Sequence, residues 1–107
     1  MRASVLLICL VMVLVGCAST VQTDYPPVTR LNGHNYHTTI ENTSLANIDK
    51  ELGTVKKHVG TMPAKDFQSN EFPKGSKLFE IKDKDPSVVI AVLINGDYRL
   101  LIRMSGD

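Results

Sequence analysis

The stretch Val88-Val89-Ile90-Ala91-Val92-Leu93-Ile94-Asn95-Gly96-Asp97-Tyr98-Arg99-Leu100-Leu101-Ile102-Arg103-Met104 decides the fold. Its first arm is apolar at every position and rich in β-branched residues, as a strand covered on both faces should be. Asn95-Gly96 follows. That pair is the favoured two-residue hairpin turn, because both positions need positive φ. The return arm alternates. Tyr98, Leu100, Ile102 and Met104 share one face, and Arg99, Leu101 and Arg103 share the other. A half-solvated arm of this kind belongs nearer a sheet edge, where arginines also discourage strand addition.

Working outward, the same device recurs. Val28-Thr29-Arg30-Leu31 and His34-Asn35-Tyr36-His37-Thr38-Thr39-Ile40 flank Asn32-Gly33 and read as a first hairpin. Lys77 to Lys82 alternates, with Leu78 and Glu80 on one side and Phe79 and Ile81 on the other, which predicts another strand. Between these lie weaker signals. Glu41 to Ser44 reads as a loop. Leu45, Ile48 and Leu52 recur at the spacing of one helix face, Ser44 is placed to cap its start and Gly53 to end it. Thr54 to Val59 reads as a strand with Val55 and Val59 facing inward. Thr61 to Gly75 is a long connection, pinned over the core by Phe67 and Phe72 and long enough to carry function. The expected fold class is α+β: a small, mainly antiparallel sheet of about five strands with one short helix.

The N-terminus has a different character. Arg2 precedes an apolar run of 13 residues from Ala3 to Val15, broken only by Ser4. A secretory signal has a core of about 7–15 such residues. A membrane span needs about 20. The run closes in Leu14-Val15-Gly16-Cys17, which resembles the lipobox of bacterial lipoproteins. That resemblance implies a diacylglyceryl group on Cys17 Sγ and cleavage between Gly16 and Cys17. A small residue at the cut admits a protease, and a thiolate is a natural nucleophile for alkylation. The competing readings are an ordinary secretory signal with an incidental cysteine, an uncleaved anchor helix, and a Cys9–Cys17 bridge in a retained segment. The organisation expected is a signal peptide over 1–16, a lipidated N-terminus and tether over 17–27, and an extracytoplasmic domain over 28–107. Pro26-Pro27 closes the tether with a stiff, extended exit.

Several pieces of the body resemble a pattern in small extracellular proteins of Gram-positive bacteria that carry no assigned activity. They are Leu52-Gly53-Thr54-Val55, Pro73-Lys74-Gly75 leading into Lys77-Leu78-Phe79-Glu80-Ile81-Lys82, Ile90-Ala91-Val92, and Tyr98. The resemblance implies an extracellular setting and no particular chemistry.

Charge points to no nucleic acid. The chain carries 12 Lys+Arg against 11 Asp+Glu, and loss of Arg2 with the signal makes the remainder neutral. Its only cysteines are Cys9 and Cys17, so a cleaved, lipidated chain has no free thiol and no disulfide. His34 and His37 are three apart, which on a strand sends them to opposite faces, and His58 stands alone, so no metal site is expected. Asp83 and Asp85 fall in a solvated turn without the spacing of a calcium loop. There is no phosphate loop and no Gly-x-Ser-x-Gly elbow. No catalytic residue and no cofactor are therefore expected. Arg99, Arg103, Lys77 and Lys82 are candidates to line one sheet face and meet anionic head groups or cell-wall polymers. The functional expectation is a lipoprotein held by Cys17 on the extracytoplasmic face of the cell membrane, or on the outer membrane if the host is Gram-negative. It presents a non-catalytic domain to a protein, peptide or cell-wall ligand. The contrasting expectation is a protective lipoprotein that sequesters a peptide or blocks an envelope enzyme.

Overall fold

The computed structural model describes residues 25–105. Eight strands run through them: β1 (Val28–Leu31), β2 (His34–Thr43), β3 (Ile48–Thr54), β4 (Lys57–His58), β5 (Gln68–Ser69), β6 (Lys77–Ile81), β7 (Val89–Ile94) and β8 (Asp97–Arg103). They form one sheet in the order β3-β6-β7-β8-β2-β1-β5-β4, antiparallel except where β4 meets β5. Both Asn-Gly hairpins form as read. Asn32 and Gly33 have φ of 53° and 78°, Asn95 and Gly96 of 52° and 84°, the double positive φ that matches the strands' twist.

The two outermost strands in that order, β3 and β4, are consecutive in the chain and separated only by Val55-Lys56. The sheet therefore curls until its two ends are one stretch of polypeptide. Backbone hydrogen bonds close the seam. Val55 N–H donates to Ser76 O at 2.8 Å, Gly75 N–H to Val55 O at 2.7 Å, Lys56 N–H to Phe67 O at 2.7 Å and Val59 N–H to Ser69 O at 2.9 Å. Closure is how a small β protein disposes of unpaired edges. The stretch of β3 farthest from the seam carries exposed Asp49, Lys50 and Glu51, charges that discourage strand addition there.

Cross-strand register separates the two faces. Leu101 lies opposite Ile90 and Thr38, and Leu78 opposite Val92. Leu101, Ile90, Leu78 and Val92, with Leu31, Tyr36, Val55 and Phe72, form the buried interior. Phe79, Ala91 and Leu100 share the outer face, as do Leu93 with Tyr98 and Val89 with Ile102.

The α+β expectation is overturned: among the described residues the fold is mostly β, with eight strands in place of about five, and the only helical turn is a 3-10 turn at Leu45–Asn47. Residues 48–54 are strand, not helix. Ile48 and Leu52 are four apart, a spacing that keeps one side in both a helix and a regular strand, so their periodicity does not distinguish the two. Leu45, the third member of the proposed face, is 69% exposed and takes no part in the buried interior. A two-turn helix gains few hydrogen bonds for its nucleation cost, whereas β3 gains a ladder with β6. Gly53 is no helix cap. Its φ is +149°, far from the left-handed helical value.

Three smaller expectations change too. Residues 41–43 extend β2 instead of forming a loop. Strand β8 lies between β7 and β2, not near an edge. The 61–75 connection contains β5, which pairs with β1 and β4 and helps close the sheet. Its phenylalanines do sit on the interior, Phe72 buried and Phe67 packed beside it. The expected 54–59 strand is broken: Thr54 ends β3, Lys57–His58 form β4, and Val55 between them is buried as read while Val59 is half-buried.

Candidate functional site

Gly16 and Cys17, the proposed cleavage and lipidation residues, lie outside the described residues, as do the signal run and most of the tether. What the structure shows is where the chain enters the domain. The Asn70 side chain clamps that point. Its Oδ1 accepts Val28 N–H at 2.8 Å, and its Nδ2 donates to Pro26 O at 3.0 Å. Thr38 N–H donates to Pro27 O at 3.0 Å, so the entering segment runs along β2 for its last residues. The folded body thus takes hold at Pro26.

Beneath the clamp, Ser69 is a buried hub. Its Oγ accepts hydrogen bonds from Thr29 Oγ1 at 3.0 Å, Phe72 N–H at 3.0 Å and Glu71 N–H at 3.1 Å, and donates to Val28 O at 3.3 Å. One hydroxyl thereby ties the two-residue strand β5 to β1 and to the turn that buries Phe72. On the inner side of β2, Tyr36 Oη donates to Pro86 O at 2.7 Å and holds the β6–β7 turn. His34 Nδ1 and Thr38 Oγ1, on that same side, are buried without a partner.

The candidate cationic face is not assembled. Register places Arg99 and Arg103 on the side of Leu101, and Lys77 on the opposite side with Leu93 and Tyr98. Arg99 Nε donates to Asn42 Oδ1 at 3.1 Å, Arg103 lies near Asp85, and Lys82 falls beyond the end of β6. His34 and His37 sit on opposite sides of β2, as their spacing predicts, and His58 is in β4. Among the described residues no histidine is bonded to a carboxylate, and no group of three or more His, Cys, Asp or Glu is placed to hold a metal ion. Asp85 is a turn-former. Its Oδ1 accepts Ser87 N–H at 2.9 Å and Ser87 Oγ–H at 2.8 Å, and these bonds, aided by Arg103, hold the carboxyl below the ordinary aspartate range.

The interior is filled by side chains and no cavity opens among the described residues. No helix among them is long and apolar enough to cross a membrane. No family model, curated protein or solved structure matches the chain. Two features stand out on the exterior. One is the outer face of β6, β7 and β8. There the rings of Phe79 and Tyr98 meet edge to face at 5.5 Å from strands on either side of β7, and Ala91 between them is fully buried. The other is a bulge in β2. Between Thr38 and Asn42 the register against β8 slips. Thr39 Oγ1 donates to Leu100 O at 2.9 Å and accepts Glu41 N–H at 3.1 Å, which leaves Ile40 projecting at 95% exposure. The sequence carries no sign of this bulge. Strict alternation along His34–Ile40 would put Ile40 on the side of Tyr36 and Thr38, toward the interior.

Proposed function

We propose that the chain is a lipoprotein anchored through Cys17 on the extracytoplasmic side of the envelope, where it presents a small non-catalytic interaction domain. One observation carries the reading: Leu14-Val15-Gly16-Cys17 closes a 13-residue apolar run that follows Arg2. The body supports it indirectly. The domain takes hold at Pro26, so a short polar stretch separates it from Cys17 and gives a lipidated cysteine room to sit in a membrane. Diacylglycerol supplies two acyl chains, the number needed for a stable tether. A filled interior leaves the exterior as the surface through which the domain acts, and a protein, peptide or cell-wall polymer is the class of ligand such a surface takes.

The test is lipid mass on Cys17 in protein purified from its native envelope. The expected result is a mature chain beginning at Cys17, modified by diacylglycerol and fractionating with membranes. Cys17→Ala should leave precursor or release unlipidated protein. A chain beginning at Met1 with a bare thiol, or unchanged fractionation of Cys17→Ala, refutes the anchor.

A further inference from the structure

The β2 bulge and the chain's point of entry are neighbours. Pro27 O bonds Thr38 N–H; Tyr25 lies two residues before that bond and Ile40 two residues after it. Both are apolar and open to solvent, Tyr25 at 42% and Ile40 at 95%. A bulge is a device for re-aiming a side chain, and this one aims an apolar side chain outward beside the point where the chain enters the domain. Here the re-aiming is built by the Thr39 hydroxyl, which satisfies Leu100 O and Glu41 N–H together.

The chain preceding Tyr25 says what covers these residues. Eight residue steps separate Cys17 from Tyr25, a span of at most about 29 Å. We propose that Ile40 and Tyr25 form a contact point that dips into the lipid surface to which Cys17 is anchored. The inference rests on the anchor reading above and adds an orientation to it. The acyl chains hold the domain near the bilayer, and this corner turns toward it. Ile40 suits the acyl boundary, and the amphipathic ring of Tyr25 suits the headgroup layer. Glu41 flanks Ile40 and repels anionic headgroups, so the contact is apolar and not electrostatic.

The chain has no tryptophan, so a single introduced one reports its own position. Lipidated protein carrying Ile40→Trp is placed in phosphatidylcholine vesicles doped with nitroxide-labelled lipid. Asp49→Trp, exposed on β3 and four strands away round the sheet, is the comparison. The expected result is a blue-shifted emission at position 40, quenched severalfold more strongly than at 49 and unchanged in high salt. Ile40→Ser should speed transfer of the lipidated protein between vesicles. Equal quenching at the two positions, or none at 40 in protein whose Cys17 carries lipid, overturns the orientation and leaves the anchor standing. Quenching abolished by salt overturns the apolar contact. Absence of lipid on Cys17 overturns both.

Discussion

The ring of Phe67 occupies the space a β-carbon on Gly53 would need: Cε1 lies 2.6 Å from that position and Cζ 3.1 Å. The contact joins β3 to the 61–75 connection at the seam of the sheet. It is held from both sides. Phe67 N–H donates to Arg30 O at 2.7 Å, Phe67 O accepts Lys56 N–H at 2.7 Å, and Lys56 Nζ stands 4.7 Å from the ring centroid. Phe67 itself has a φ of 65°, uncommon for an aromatic residue and sustained by these bonds.

Gly53→Ala should therefore destabilise the domain twice over. A non-glycine residue at φ +149° costs about 1–3 kcal/mol, and the overpacked ring adds about as much again. Urea denaturation should show a loss of about 3 kcal/mol. Adding Phe67→Leu should recover the steric part and leave the backbone part, a non-additivity expected only of residues in contact. Simple additivity would mean that the ring does not rest on Gly53.

Ser69→Ala tests the hub that binds β5 to the rest of the sheet. The change removes three accepted hydrogen bonds and strands Thr29 Oγ1 and Phe72 N–H in a buried setting. Each unsatisfied buried group costs about 1–3 kcal/mol, so a loss of about 3 kcal/mol is expected on unfolding. Hydrogen exchange should quicken first at Val59, whose N–H bonds Ser69 O across the seam. Uniform quickening at every amide would argue against a local role.

The same two positions show what was legible in the sequence. Both hairpins could be read because Asn-Gly at positive φ is a local requirement, independent of the rest of the chain. The central place of β7 could be read because that strand is apolar throughout. Strand β5 could not, since two residues have no periodicity, and the hydroxyl of Ser69 matters only for what closure brings to it. Gly53 was visible as a glycine, but its reason is a ring 14 residues away. The outward face of β8 was ambiguous for a related cause: Tyr98, Leu100 and Ile102 outnumber Leu101 in apolar surface, yet only the direction of curling decides which side is inside. The proposed anchor rests on sequence alone, a short pattern next to an apolar run, and its residues lie outside the described ones.

The Asp85 carboxyl gives a pH prediction. The N–H of Ser87 is the largest cause of its lowered pKa, followed by the Ser87 hydroxyl; partial desolvation opposes them, and Arg103 adds the smallest lowering effect. A carboxyl held lower in the folded than in the unfolded chain stabilises the fold above its unfolded pKa. It loses that contribution as pH falls through the folded value. In an NMR titration the Asp85 carboxyl should titrate below the ordinary aspartate range, and Ser87→Ala should bring it back toward that range. Asp85→Asn should remove this part of the acid sensitivity. An Asp85 midpoint unmoved by Ser87→Ala would show that the turn bonds do not set it.

Two adjacent leucines test the inside–outside assignment on which the exterior reading depends. Leu101 is fully buried in the interior, while Leu100 lies on the outer face opposite Ala91 and is only half-buried. Leu101→Ala removes buried methylene groups and leaves a hole among Ile90, Tyr36 and their neighbours, at a cost of about 3 kcal/mol. Leu100→Ala opens no enclosed cavity and should cost about 1 kcal/mol, by the lost apolar area alone. The sheet curls so that one of two neighbouring residues of equal chemistry carries the core. If thermal unfolding ranks the two the other way round, the sheet is curled with its Tyr98 side inward. Phe79, Leu93 and Tyr98 would then be core, and nothing of the proposed exterior would remain.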